Sequence, residues 1–392
     1  MKFTDEIANF NQFGSFTQIE RDDDVDYFIN CYWTARQRQA NRIHEVSYRA
    51  CFKPQLPAFF INRLTQINDV VYDPFMGRGT TPIESALLGR IPYGNDVNPV
   101  SIAITEPRIN PPDPFSIQKR LTEIPWDSFK DVENQDLLVF YHPDTLAKLE
   151  GLRKWLIQRA TSGALDPADK WIRMVAINRL TGHSPGFFSV YTMPPNQAVS
   201  IKSQHRINER RNQIPPVRDV PLLIWKKSKR LLSQPVVRAA NYLLLNERSD
   251  HTAQIPDDSV DLVVTSPPFL DIVDYEADNW LRCWFLCIDP HSVDITMVKS
   301  IHTWRQFTHR TLLELSRIVK PGGHAAYEVG EVRSAKVHLE TEVIAAAEGT
   351  GLEVLGVLIN QQEFTKTANC WGVDNNRRGT NTNRIVLMRN TR

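Results

Sequence analysis

Residues 70–81, VVYDPFMGRGTT, constrain the fold more than any other stretch. A hydrophobic run ends in an acid, Asp73, and passes through Gly77-x-Gly79 into TTPIESALLGR. The β-branched run reads as a buried strand and the segment after the glycines as a helix. IPYGNDVNP then reads as a second strand and a turn. This alternation predicts a doubly wound, mostly parallel α/β sheet with helices on both faces. Sheets of that kind bind ligands at the carboxyl ends of their strands, where glycines let the backbone come close. Asp96, at the end of the second strand, suits hydrogen bonds from ribose hydroxyls. No Gly-Lys-Ser/Thr follows the loop, and the third glycine of a dinucleotide fingerprint is absent. The expected ligand is therefore a nucleoside-bearing cofactor without a pyrophosphate. A bare Gly-x-Gly is also an ordinary tight turn, so the weight rests on the full arrangement of Asp73, Phe75, Gly77, Gly79, Thr80, Thr81 and Asp96.

A second motif, Thr265-Ser266-Pro267-Pro268-Phe269, follows the strand-like VDLVV directly. Two consecutive prolines fix φ and remove two backbone donors. What remains is a stiff loop offering carbonyl oxygens, the Ser266 hydroxyl and an aromatic face. That set suits a planar ring with an exocyclic amine, which donates to the hydroxyl and a carbonyl while the ring stacks on Phe269. Alone, the motif also fits a proline turn with a core phenylalanine.

The chain has 392 residues, enough for two to three domains. Charged residues are 23% and hydrophobic ones 42%, which excludes a disordered or fibrous chain. Forty-six basic residues against 45 acids leave +1, so a nucleic-acid surface has to be local. Five cysteines without a CxxC give neither a disulfide framework nor a zinc-site spacing, and no metal is expected. There is no signal-peptide run and no membrane-length apolar run, so the expected setting is cytoplasmic, with no membrane partner.

Four segments are expected. Residues 1–45, with Glu20, Asp22, Asp23, Asp24 and Asp26 beside aromatics, form a peripheral segment. Residues 46–108 carry the glycine loop. Residues 109–235 form a mostly helical, basic insert between the second and third strands. Residues 236–392 resume the strand–helix rhythm with VDLVVTSPPF, HAAYEVG, LEVLGVLINQ and TNRIVLMR. Between Lys202 and Arg230 nine Lys or Arg face only Glu209 and Asp219. This stretch is either a solvated surface or a phosphate-contacting one, with Gln204, Asn208, Asn212 and Gln213 of the kind that reads base edges. The turn-rich DNNRRGTNTN, with Arg377 and Arg378, lies in a second basic run that starts at Lys366.

Together, DPFMGRGTT, NDVNP and TSPPF resemble the cofactor and catalytic motifs of the DNA amino-methyltransferases. Those enzymes use S-adenosylmethionine to methylate cytosine N4 or adenine N6. The resemblance covers roughly 44–108 and 246–392. HEVSYRACFKPQL is similar to the family's extra cofactor-contact segment, and SRIVKPGGHAAYEVGEVR to its helix–strand pair after the catalytic strand. The glycine loop comes first and SPPF last, as in the class whose target-recognition domain lies between them. One departure is that the insert falls before the third strand.

The resemblance implies roles residue by residue. Asp73, Pro74, Phe75, Gly77, Gly79 and Thr80 would hold the methionine part of S-adenosylmethionine, with Phe52 beside it. Asp96 would take the ribose hydroxyls, Asn98 or Val97 would line the adenine, and Asp250 would meet the adenine amine. Ser266, Pro267, Pro268 and Phe269 would form the catalytic loop. Ser266 stands where many adenine-N6 enzymes have aspartate, and serine is commoner in cytosine-N4 enzymes. The expected partner is double-stranded DNA, contacted by Lys202, Arg206, Arg210, Arg211, Arg377 and Arg378; a cognate restriction endonuclease is compatible with this. The leading expectation is a site-specific cytosine-N4 DNA methyltransferase acting on a flipped base. The alternatives are adenine N6, a guanine-N2 enzyme of RNA, and a catalytically silent DNA-reading subunit.

Overall fold

The computed structural model describes residues 3–33, 40–49, 51–193, 198–269, 275–293, 300–332, 337–361 and 382–392. In chain order the elements begin with α1 (Phe3–Ala8), β1 (Gln18–Asp22), β2 (Val25–Asn30) and α2 (Gln55–Leu64). The glycine-loop half follows as β3 (Val70–Asp73), α3 (Thr80–Leu87), β4 (Ile91–Asn95) and α4 (Pro99–Ile109). Then come five helices, α5 (Pro114–Glu123), α6 (Pro143–Thr161), α7 (Pro167–Ile177), α8 (Ile201–Arg211) and α9 (Val220–Leu231). The chain returns through β5 (Leu243–Leu245), β6 (Val260–Thr265), α10 (Tyr275–Leu286) and α11 (Ile301–Ile318). It ends with β7 (Val319–Val329), a small hairpin of β8 (Glu331–Val332) and β9 (Val337–His338), α12 (Leu339–Ala347), β10 (Leu352–Gln361) and β11 (Thr382–Asn390).

One sheet carries the fold, in the order β1-β2-β10-β11-β7-β6-β3-β4-β5. Strands β7, β6, β3, β4 and β5 run parallel. β11 is antiparallel to both of its neighbours, β7 and β10. The chain leaves β3 outward through β4 to β5 and re-enters on the other side of β3 as β6. The strand order therefore reverses between β3 and β6, the place where a doubly wound sheet opens a crevice. Val71, Leu262, Val264, Ala326 and Ile385 are buried on one face under α2. Tyr72, Val263, Ala325 and Val386 are buried on the other under α11 and α12. The doubly wound α/β architecture is thus present, with helices on both faces.

Two boundaries differ from expectation. Residues 1–45 do not form a peripheral segment. Tyr27–Asn30 of β2 pair in parallel with Val357–Asn360 of β10, and Tyr32 and Trp33 are buried against Phe59 and Phe60 of α2. Of the acids that suggested a peripheral segment, Glu20 and Asp22 are exposed on β1, Asp23 and Asp24 are in the turn, and Asp26 is half-buried on β2; edge charge of this kind deters further pairing. Second, α10 leaves the sheet half and enters the core of the helical lobe. Its Leu281, Cys283 and Phe285 share a cluster with Leu149 of α6, Trp171 of α7 and Ile104 of α4. Arg153 donates to the Trp284 carbonyl at 2.6 Å, and the Trp280 indole to the Ala198 carbonyl at 3.2 Å. The apolar WLRCWFL run buries in the helical lobe, against α6 among others.

Local chemistry explains the helix starts near the sheet. Asn98 caps α4 by accepting from Val100 N at 3.0 Å, with Pro99 in the first turn. α3 starts at Gly79, whose φ is +75°. A Cβ there would also collide with the Thr105 side chain of α4. We expect Gly79→Ala to destabilise the chain by roughly 1–3 kcal/mol through overpacking. Thermal unfolding measures this loss, and adding Thr105→Ala is expected to recover part of it.

Candidate active site at the strand reversal

Asp73 ends β3 and Thr265 ends β6, and the two are buried side by side. The Thr265 hydroxyl donates to Asp73 Oδ1 at 2.6 Å, and Phe75 N donates to the same oxygen at 3.0 Å. The glycine loop and the SPPF loop are thereby joined by one carboxylate. Asp73 Oδ2 is buried with no hydrogen-bond partner. Burial raises the Asp73 pKa from 3.8 to about 7, against the lowering bonds from Thr265 and Phe75 N. Neighbouring Thr81 gives its hydroxyl to the Val264 carbonyl at 2.9 Å. A buried carboxylate oxygen without a donor is expensive. It fits a cationic or N–H-bearing ligand group, the kind the methionine ammonium of S-adenosylmethionine offers.

The glycine loop is shaped from β4. Asp96 Oδ2 accepts from Gly77 N at 2.8 Å, and its Oδ1 from Asn98 N at 2.9 Å. Burial raises its pKa, and these two backbone bonds oppose the rise. Gly77 has φ +49° with Tyr48 and Cys51 around its open side. Thr80 is buried and accepts from Arg78 Nε at 3.1 Å. Pro74 is buried, while Phe75 is half-buried with its ring 5.7 Å from that of Phe307 on α11.

Asn95, not picked out from the sequence, is the joint between three loops. Its backbone carbonyl accepts from Met76 N at 2.9 Å. Its side chain accepts from Glu247 N at 2.9 Å and donates to the Glu247 carbonyl at 3.0 Å. The only sequence signal for it was its place one residue before Asp96.

Residues 42–49 and 51–53 form a strap across the site, held mainly by cations that donate to its carbonyls. Arg108 reaches Ile43 O at 3.4 Å, Lys227 reaches Glu45 O at 2.7 Å, and Arg282 reaches Ser47 O at 3.0 Å. Arg78, inside the glycine loop, reaches both Val46 O and Phe52 O, at 3.3 and 3.1 Å. Arg49 adds an ion pair to Asp278 of α10 at 3.0 Å. Phe52, half-buried, is thereby fixed next to the loop that carries Gly77.

In the SPPF loop Pro267 is buried and Ser266, Pro268 and Phe269 are half-buried. The Trp304 indole of α11 donates to the Pro268 carbonyl at 2.9 Å. Trp304 is 1% exposed, so this residue, missed in the sequence, holds the loop from below.

Three expectations need correction. Asn98 does not face a ligand: its Oδ1 caps α4 and its Nδ2 donates to the Tyr48 hydroxyl at 3.2 Å. Asp250 is not free for an adenine amine. It pairs with Arg248 at 3.0 Å and with Arg310 of α11 at 3.1 Å, and the Arg248 bond leads in holding its pKa low. In the basic stretch three of the four amides are spent internally, and Asn212 stays exposed. Gln204 and Gln213 donate to the Tyr191 carbonyl at 3.0 and 2.9 Å, and Asn208 donates to that of Val139 at 2.7 Å. Two of the cations are also spent, since Lys227 and Arg230 both pair with Glu45. Besides Lys226 and Lys229 on α9, what stays exposed to solvent is one face of α8. Lys202, Arg206 and Arg210 are exposed there at four-residue spacing, and Arg211 lies 3.8 Å over the Tyr191 ring. Arg377 and Arg378 lie outside the described residues, as does most of the basic run from Lys366. Among the described residues no cluster could hold a metal ion, and no helix is long and apolar enough to cross a membrane.

Residues 6–106 match the family model described as DNA methylase. That span starts in α1 and includes the β1–β2 hairpin, the strap, the glycine loop and most of α4. The Type II methyltransferase M.MvaI of Kocuria varians is 24% identical over 63% of this chain and 57% of its own. M.BsoBI of Geobacillus stearothermophilus, also a Type II methyltransferase, is 23% identical over 65% of this chain and 55% of its own. M.MjaII of Methanocaldococcus jannaschii is 32% identical over 23% of this chain and 16% of its own. The chain thus spans at most a little over half the length of these relatives. These matches support the DNA amino-methyltransferase family, to which the chain is similar in its fold and its two loops.

The raised Asp73 pKa has a stability consequence. The folded state binds this proton more tightly than the unfolded state, so the contribution of this one group to stability is fullest below about pH 4 and is lost as pH rises toward about 7. Asp73→Asn removes that ionisation. Its melting temperature is expected to fall less than that of wild type across this window, as followed by differential scanning fluorimetry without ligand.

Proposed function

We propose that the chain transfers a methyl group from S-adenosylmethionine to the exocyclic amine of a base flipped out of double-stranded DNA, with cytosine N4 as the target. The observation that carries this reading is the Thr265–Asp73 bond at the strand reversal, which sets the glycine loop and SPPF on adjoining strand ends. When bound, the cofactor supplies an electrophilic sulfonium methyl. Asp73 Oδ2 would accept from its ammonium, the Gly77 loop would lie along its methionine part, and Asp96 would meet its ribose. Phe52 and Phe75 would cover its apolar edge.

The loop's own residues act on the base. An aromatic amine is a weak nucleophile because its lone pair is shared with the ring. Accepting its N–H groups at Ser266 Oγ and the Pro267 carbonyl favours a pyramidal nitrogen with the pair localised. Stacking on Phe269 fixes the ring plane, and the double proline keeps both acceptors in place. Orientation of this kind supplies much of the rate, and the base must leave the duplex to reach it. Ser266, in place of the aspartate common in adenine-N6 enzymes, supports cytosine over adenine. Base-resolution methylation mapping of DNA from cells expressing the chain tests the reading. N4-methylcytosine at one sequence context is expected. N6-methyladenine would shift the target, and unmodified DNA would overturn the activity.

Two outcomes follow with purified protein. Ser266→Ala is expected to lower methyl transfer by about 100-fold with cofactor affinity within a few-fold of wild type. Tritium transfer and calorimetry separate the two, and wild-type turnover in this variant would make the loop structural. The free face of α8 is the proposed phosphate contact. Replacing Lys202, Arg206 and Arg210 with alanine is expected to flatten the slope of log affinity against log salt by about two to three. An unchanged slope would mean that this face only meets solvent.

A further inference from the structure

The SPPF loop has little of its own to hold it in shape. Pro267 and Pro268 have no N–H to give, so bonds that fix this stretch run through its carbonyls and come from donors elsewhere. One such donor is the Trp304 indole, 2.9 Å from the Pro268 carbonyl. Trp304 stands in the first turn of α11, where its backbone N–H donates to the Ser300 carbonyl at 2.9 Å. Its ring is buried in a cluster with Leu312, Tyr327 and Leu339. Phe75 of the glycine loop and Phe269 of the SPPF loop both pack against that cluster.

α11 is itself clamped along its length by the segment that leads from β5 to β6. Thr311 Oγ1 meets Ser249 Oγ at 3.0 Å, and Glu314 accepts from Thr252 N and Oγ1, both at 2.7 Å. Arg317 donates to the Thr252 and Ile255 carbonyls at 3.1 and 3.0 Å. At the far end the Arg317 carbonyl accepts from Asp258 N at 3.1 Å, and that of Ile318 from Ser259 N at 2.8 Å, beside the start of β6. The helix therefore runs from the carboxyl end of β6 back to its amino end. Residues 304, 307, 311 and 314 share one face by their three- and four-residue spacing. From that face Trp304 meets the SPPF loop, and one turn on Phe307 meets the Phe75 ring at 5.7 Å. One clamped element thus touches both motif loops.

An indole offers a single N–H, and a donor only. A ring packed on all sides cannot swing to follow a moving loop, so the Pro268 carbonyl is held against α11. In a double proline, with φ fixed at two successive residues, holding one carbonyl restrains the one before it. We propose that Trp304 is a positioning residue: by taking the Pro268 carbonyl it sets the Pro267 carbonyl and the Ser266 hydroxyl at the angle the target amine needs. The inference rests on the proposed methyl transfer and adds what places its acceptors relative to the glycine loop.

The test uses full chains with tritiated S-adenosylmethionine and unmethylated plasmid DNA. Trp304 is replaced by benzothienylalanine, which keeps nearly the same ring shape without an N–H, and by 5-fluorotryptophan, which keeps the N–H. The first chain is expected to lose about 100-fold in kcat with the cofactor KM unchanged, the loss that a misplacement of about 1 Å produces. The second should turn over as wild type does. Nitrogen-15 NMR of the ligand-free wild type reads exchange of the Trp304 indole proton with water, which should be strongly slowed. Wild-type kcat in the benzothienylalanine chain, or an indole proton that exchanges freely in an active wild type, overturns the proposal. So does a loss of rate matched by an equal loss of cofactor affinity, which would make Trp304 a packing residue only. A wild-type chain that methylates no DNA overturns the underlying reading, and this inference with it.

Discussion

The structure turns on one buried hydrogen bond, from the Thr265 hydroxyl to the Asp73 carboxylate. It joins the carboxyl ends of β3 and β6 where the strand order reverses. Each of these strands runs straight into a motif loop, so fixing their ends fixes the loops against each other. The bond also leaves the other Asp73 oxygen buried and without a donor. A carboxylate in that state is a strained acceptor, and a cationic ligand group relieves it. Asn95 does a similar service one strand over, tying the glycine loop to the loop after β5.

Cations organise the space in front of these loops. The strap at 42–49 and 51–53 is not part of a strand or long helix, so its carbonyls need partners. Arg78, Arg108, Lys227 and Arg282 supply them from four different elements. Two of these, Lys227 and Arg282, belong to α9 and α10, which share the core of the helical lobe. The lobe is therefore joined to the cofactor side through the strap.

Charge in the lobe divides by function. Of the basic residues between Lys202 and Arg230, some hold the structure and some face water. Lys227 and Arg230 neutralise Glu45, while Lys202, Arg206 and Arg210 form an exposed row on α8. The amides alongside them anchor α8 to the carbonyls of Tyr191 and Val139. The exposed row on α8 is thus cationic, a composition that suits phosphate contact better than base reading.

The sequence by itself determined the class of fold and the two loops. Short β-branched runs ending in Asp73, Asp96 and Thr265, each followed by a loop built of glycine or proline, are local signals. Backbone preference and hydrophobic period act over a few residues, so they survive in a single chain. Tertiary structure decided what crosses between distant segments. It recruited Val25–Asn30 into the sheet although acids crowd that region, because edge strands tolerate charge. It turned Asn98 into a helix cap and gave Asp250 to two arginines. It placed Trp304 under Pro268 and Asn383 against Glu328. These partners lie tens to hundreds of residues apart, and no local spacing encodes them. Their choice follows from strand register and from the cost of leaving a buried polar group without a donor or acceptor.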